Sequence, residues 1–166
     1  FERPWPLRLM GGRTGTGKTD LLLALQQRGI AIVDLEGLAH HRGSSFGGLG
    51  LPPQPSTEHY ENRLAECLDQ HRRAGAEAIW LEAESIQVGR CRIPKALFDQ
   101  MKNAPVLEIQ RSLSERVNQL VGVYGHQGMD ALAEATQRIS RRLGPQRTTQ
   151  ALNAIAAGDW ATACRA

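Results

Sequence analysis

The run Gly12-Arg13-Thr14-Gly15-Thr16-Gly17-Lys18-Thr19 reads G-x-x-x-x-G-K-[ST] and stands between a short apolar stretch, Leu7 to Met10, and a longer apolar-rich one, Lys18 to Arg28. That setting predicts strand, glycine loop and helix, with the loop amides converging on a phosphate group. Glycine permits the close backbone approach. The free N–H groups and dipole of the following helix add attraction, Lys18 reaches the terminal phosphates, and Thr19 offers its hydroxyl to a magnesium ion. Gly12, Thr14, Gly15, Thr16, Gly17, Lys18 and Thr19 are the candidate phosphate-binding residues. Such amides recognise a diphosphate whatever it is attached to, so the P-loop motif alone does not specify a nucleotide. Its place between strand and helix argues against a glycine turn without a ligand.

The rest of the chain keeps the same alternation. Gly29 closes the first helix, and Ile30 to Val33 is β-branched and reads as a second strand buried on both faces. From Glu36 to Pro55 glycine, proline and serine dominate, a loop too long for a routine connection and therefore functional or mobile. Ser56 or Thr57 caps the next helix, whose Tyr60, Leu64, Cys67, Leu68 and His71 recur at helical spacing, so Cys67 reads as core. Ala78 to Leu81 is a third strand, ending in Glu82-Ala83-Glu84-Ser85 and a basic loop with Arg90 and Arg92. A short helix from Pro94 to Met101 and a fourth strand, Val106 to Ile109, follow. Ser112 to Glu115 has capping-box spacing, and Val117, Leu120, Val121 and Tyr124 give the next helix its apolar face.

Beyond Gly128 the pattern is helical, with Leu132, Ile139 and Leu143 on one stripe, a break at Gly144-Pro145, and a last helical stretch around Leu152 and Ile155. The expected fold is α/β, a P-loop NTPase-like parallel sheet flanked by helices, with right-handed crossovers fixing most of the topology. Residues 1–166 read as a single domain, with 1–6 a linker remnant and 128–166 a helical C-terminal part.

With 41% hydrophobic and 22% charged residues in 166, composition fits one folded domain and excludes a disordered or fibrous chain. No apolar run approaches the roughly 20 residues that span a bilayer. Three cysteines, Cys67, Cys91 and Cys164, match neither a metal site nor a disulfide framework, and a reducing cytoplasm fits them best. The net charge is +3, and Lys18, Lys95 and Lys102 are the only lysines, so arginine carries most of the positive charge. Arginine forks match phosphate oxygens, although a codon bias toward arginine produces the same excess.

Carboxylates near the loop are the next candidates. Glu82 ends the third strand, where P-loop proteins hold magnesium, with Glu84 close enough to share that role; a solvated strand end is the plain alternative. Asp34 and Glu36 end the second strand, on the edge where open parallel sheets bind ligands, and can receive a proton from an acceptor; Asp34 alone also fits a helix cap. His40 and His41 can shuttle a proton or contact phosphate, Arg42 adds charge, and Ser44 and Ser45 can clamp an anion, or the segment is an exposed polar loop. Arg138, Arg141 and Arg142 lie at helical spacing opposite the apolar stripe, with Arg147 beyond: an RNA-backbone contact, arginines closing over a phosphate, or a solvated face.

The P-loop, then Asp34-Leu35-Glu36-Gly37-Leu38-Ala39-His40-His41-Arg42-Gly43-Ser44-Ser45-Phe46-Gly47, then Leu51 to Ser56 and Trp80 to Ser85, taken in that order, resemble the C-terminal P-loop domain of bacterial tRNA 2-selenouridine synthases. The resemblance covers essentially the whole chain, and the His-Arg-Gly-Ser loop is its specific part. It implies a cytoplasmic tRNA-modifying transferase that exchanges the 2-thio group of a wobble uridine for selenium. Selenophosphate is then the selenium donor, and geranyl diphosphate makes an S-geranylated intermediate. It also implies a rhodanese domain elsewhere in the protein, which carries the selenium-handling cysteine, a role not transferred to Cys67, Cys91 or Cys164. On this reading the P-loop seats geranyl diphosphate or a nucleotide, with Mg²⁺ at Thr19 and Glu82. The basic groups Arg90, Arg92, Arg138, Arg141, Arg142 and Arg147 then hold the tRNA anticodon arm, and the isolated domain does not complete selenation. A P-loop small-molecule kinase and a noncatalytic RNA-binding module are the alternatives.

Overall fold

Alternation of buried and exposed side chains along Leu7–Gly11 (β1) sets the middle of the molecule: Leu7 and Leu9 point to one face of a sheet and Met10 to the other. The computed structural model describes all residues, 1–166. Three further strands, Ile32–Val33 (β2), Ile79–Glu82 (β3) and Val106–Glu108 (β6), complete a parallel sheet in the order β2-β3-β1-β6. Leu9 pairs with Leu81 on one side and Val106 on the other, so the β1 end that enters the P-loop is flanked by the ends of β3 and β6.

The connections become helices where apolar residues repeat at helical spacing. On one sheet face Leu35–Ala39 (α2), Thr57–Arg73 (α3) and Lys95–Met101 (α4) enclose the main core, which joins Leu7, Leu9, Ile79 and Leu81 to Tyr60, Leu64, Leu68 and Leu97. Lys18–Gln26 (α1) covers the other face through Leu22 against Met10 and Ile32. Ser56 caps α3 by accepting from the His59 N–H at 3.1 Å, and Ser112 with Glu115 forms the capping box of Leu113–Tyr124 (α5). The C-terminal part, Met129–Arg138 (α6), Ser140–Leu143 (α7), Pro145–Ala156 (α8) and Trp160–Arg165 (α9), packs on α5 through a smaller cluster of Tyr124, Leu132 and Ile155. No helix is long and apolar enough to cross a membrane.

Several local expectations are corrected. The second strand is shorter than Ile30 to Val33, because Ile30 is exposed and only Ile32 and Val33 pair with β3. The long loop opens with α2, since the Asp34 carboxylate accepts from the Gly37 N–H at 2.7 Å and so caps a helical turn, which His40 ends at a φ of 50°. The basic loop is an antiparallel hairpin, Gln87–Val88 (β4) with Cys91–Arg92 (β5), turning at Gly89. The apolar stripe of the C-terminal part is split between α6 and α7 at Ile139. Residues 1–6, read as a linker remnant, are tied to α4: Gln100 accepts from the Trp5 N–H and donates to the Phe1 and Arg3 carbonyls, each at 2.9 Å.

Candidate phosphate site

Three glycines of the loop, Gly12, Gly15 and Gly17, have φ of 145°, 84° and 75°, a region that side chains disfavour. Space excludes side chains as firmly as conformation does. A Cβ at Gly12 would stand 2.8 Å from the Ile109 carbonyl oxygen, and one at Gly15 would stand 2.7 Å from that of Arg116. The loop is thus wedged between the end of β6 and the first turns of α5. Its lysine is folded inward, Lys18 Nζ donating to the Gly12 carbonyl at 2.9 Å, and Thr16 Oγ1 donates to the Arg13 carbonyl at 2.8 Å.

A cavity of about 300 Å³ opens on the loop and is lined by Gly12 and by Thr14 to Asp20. Facing them are Glu36, Arg42, Gly43 and Glu84, and from α5 Gln119, Leu120, Val123 and Tyr124. Thr19 Oγ1 donates to Glu36 Oε2 at 3.0 Å, pairing the hydroxyl of the motif with a carboxylate of α2. Burial and, next, repulsion from Glu84 push the Glu36 carboxyl up to about 7. Gly43 is the only residue type that fits over these acids: an added Cβ would lie 2.6 Å from Glu36 Oε1 and 2.8 Å from Glu84 Oε2.

Glu82 does not line this cavity. It is fully buried, with Oε2 accepting from the Leu35 N–H at 3.1 Å and Oε1 unpartnered. Burial first, then the charges of Asp34 and Glu36, push its carboxyl up to about 8. The carboxylates that reach the phosphate side are Glu36 and Glu84, because Glu82 turns back toward the start of α2. Asp34 is spent on its cap, and burial raises its carboxyl as well. Thr19, Glu36 and Glu84 give the cavity wall hard oxygen atoms of the kind Mg²⁺ takes, whereas Glu82 does not line it beside Thr19.

The histidine loop divides its residues among different tasks. His40 Nδ1 bonds the Pro53 carbonyl at 3.0 Å and pins the loop. His41 packs under Gly47, and burial lowers its ring below the usual histidine range. Neither ring lines the cavity. Arg42 does, held by the Leu49 carbonyl at 2.8 Å and stacked 5.7 Å above the centre of the Tyr124 ring. Ser44 Oγ meets Tyr124 Oη at 3.2 Å and Ser45 Oγ accepts from Arg142 at 3.3 Å, so both serines face α5 and α7 rather than the P-loop.

Behind them lies a second cavity of about 270 Å³, lined mainly by apolar side chains that include Phe46, Leu132, Ile139, Leu143, Ile155 and Trp160. It meets the phosphate cavity at Thr14, Leu120 and Tyr124, which line both. The α5 residues at this junction were legible in the sequence only as a helix face packed on the core. Their distance along the chain from the motif hid that they wall a site.

The candidate RNA-contacting arginines fall in two groups. Arg90 and Arg92 are exposed on the β4-β5 hairpin, with the Arg90 guanidinium donating to the Gln54 carbonyl. In the helical part Arg138 pairs with Glu134 at 2.9 Å and Arg142 reaches Ser45, while Arg141 and Arg147 are exposed and make no ion pair.

The family model described as the tRNA 2-selenouridine synthase AAA domain matches residues 5–130. Among curated relatives, a tRNA 2-selenouridine synthase of Shewanella sediminis is 40% identical over 85% of this chain and 42% of its own length. One of Shewanella halifaxensis is 40% identical over 84% of this chain, and one of Marinobacter nauticus is 39% identical over 84%, each over 41% of its own length. The chain thus spans under half the length of these relatives. A parallel sheet with a P-loop at the end of its central strand agrees with this match, and the chain belongs to the tRNA 2-selenouridine synthase AAA domain family.

Proposed function

We propose that this chain is the diphosphate-binding domain of a cytoplasmic tRNA-modifying transferase, one that converts wobble 2-thiouridine to 2-selenouridine through an S-geranylated intermediate, and that the P-loop seats geranyl diphosphate. The observation that carries this reading is the shared wall of Thr14, Leu120 and Tyr124, across which a polar cavity for a diphosphate adjoins an apolar one sized for a short hydrocarbon. A nucleotide would leave that apolar cavity without a matching group. In the whole protein, selenophosphate supplies selenium, and a rhodanese domain beyond the matched portion handles it. The tRNA anticodon arm lies against the exposed arginines Arg92, Arg141 and Arg147, with Arg90, Arg138 and Arg142 beside them.

In the geranyl step the uridine sulfur forms a bond to the terminal allylic carbon. The carbon–oxygen bond to the diphosphate breaks, and the electron pair leaves on that oxygen. Lys18, the loop amides and Arg42 would take up the charge on the departing diphosphate. Mg²⁺, held by Thr19 and Glu36 with Glu84 beside them, would neutralise part of the same charge. With Glu36 taken up by the ion, Glu84 in the same wall is the carboxylate placed to accept the proton that the thiouridine ring loses.

Calorimetric titration tests the reading. Lys18→Ala should abolish binding of both geranyl diphosphate and inorganic pyrophosphate. Ile139→Gln, in the apolar cavity alone, should weaken geranyl diphosphate by about tenfold, about 1.4 kcal/mol, and leave pyrophosphate unchanged. Equal loss of both ligands in the Ile139 variant would remove the case for a prenyl chain. A nucleotide-dependent small-molecule kinase is the second reading, favoured by the Thr19–Glu36 pair beside Lys18. ATP binding that is tighter than geranyl diphosphate binding and insensitive to Ile139→Gln would support it.

A further inference from the structure

A separate cleft of about 540 Å³ runs along the other flank of the loop, toward the exposed edge strand β6, and shares only Thr16 with the phosphate cavity. Three arginines from three different segments meet in its wall: Arg13 inside the P-loop, Arg111 between β6 and α5, and Arg116 in α5. We infer that Arg13, Arg111 and Arg116 form a second phosphate-binding site, distinct from the P-loop amides, that takes a phosphate group of a second ligand.

The geometry favours an anion over a plain solvated surface. Arg111 is drawn over the loop, its guanidinium 3.5 Å from where a Cβ of Gly17 would be. Arg116 is fixed by its Nε, which donates to the Thr14 carbonyl at 2.9 Å and leaves its terminal N–H groups for the cleft. None of the three makes an ion pair. The nearby acid Glu115 keeps its charge close to Arg111 but spends its oxygens on the capping box, accepting from the Ser112 N–H at 2.8 Å. Glu108, the one carboxylate in the wall, folds back against Gly11. Three guanidiniums line this cleft against the charges of Glu108 and Glu115, leaving it net positive, and a phosphate offers the oxygens their planar forks match. The phosphate can belong to an RNA backbone or to a small free ligand; the first source rests on the tRNA reading above, the second does not.

Two variants separate these outcomes. Arg13 and Arg111 make no side-chain hydrogen bond within the protein, so Arg13→Ala/Arg111→Ala should fold as the parent does. In a Lys18→Ala background, which empties the P-loop, inorganic phosphate should raise the melting temperature and shift the Arg116 Nε–H resonance. Both responses should vanish when Arg13→Ala/Arg111→Ala is added. With single-stranded oligouridylate, an RNA source predicts that the slope of log affinity against log salt falls by roughly 1.4 in Arg13→Ala/Arg111→Ala, about 0.7 per lost contact. A phosphate response without the RNA effect assigns the site to a free ligand. The inference is overturned if neither response appears. It is also overturned if Arg13→Ala/Arg111→Ala loses pyrophosphate binding at the P-loop, since the arginines would then serve that loop and no separate site.

Discussion

Gly43 and Glu82 set the two sharpest residue-level expectations. Gly43 has a φ of 59° and lies against two carboxylates, so Gly43→Ala meets backbone strain of about 1–2 kcal/mol as well as a collision with Glu36 and Glu84. Pyrophosphate affinity should fall at least tenfold in that variant, by calorimetry, because the loop that carries Arg42 must lift away from the cavity. Glu82 holds its proton near neutrality: its folded value, about 8, lies above the ordinary 4.5. A raised carboxyl favours the folded state fully below the unfolded value, and that stability is lost as pH rises from about 4.5 through about 8. Thermal melts should therefore show a higher midpoint at pH 6 than at pH 9. Glu82→Gln, which mimics the protonated form, should flatten that slope; an unchanged slope would mean the buried acid is already ionised.

At the scale of elements, α5 is the buttress of the loop. Its Arg116 holds the Thr14 carbonyl, Gln119 Nε2 donates to Asp20 Oδ2 at 2.6 Å, and its backbone excludes any side chain at Gly15. Because Ser112 and Glu115 cap each other's N–H groups at the start of this helix, Ser112→Ala should cost about 1 kcal/mol of stability in urea denaturation. The loss should also show as faster hydrogen exchange at Thr14 to Thr16, far from the mutated residue in sequence. The capping box of α5 was legible from four consecutive residues, as was the strand, loop and helix around Gly12 to Thr19. The hairpin β4-β5 was not, since two-residue strands carry no periodicity to read. The helical turn α2 was legible only through Asp34, which fitted a helix cap, because the turn it caps lies in a stretch rich in glycine, proline and serine that reads as loop.

For the whole molecule, unequal cores predict unequal stability. The sheet with α2, α3 and α4 shares one large cluster, whereas α6 to α9 rest on Tyr124, Leu132 and Ile155 and surround the apolar cavity. Amides of α6 and α8 should exchange faster than those of β1 and β3. Geranyl diphosphate should slow exchange in the helical part, and inorganic pyrophosphate should not, if a prenyl chain fills that cavity. The sequence by itself determined the α/β alternation, the position of the phosphate loop and the caps of its longer helices, because each depends on residues within a few positions of one another. Only the tertiary structure decided that Glu36 and Glu84 rather than Glu82 face the phosphate cavity, that Ser44 and Ser45 turn to the helical part, and that α5 walls both the phosphate and the apolar cavities. Those outcomes turn on contacts such as Arg116 to Thr14, 102 residues apart, whose geometry is set by how helices dock on the sheet and leaves no spacing in the chain to read.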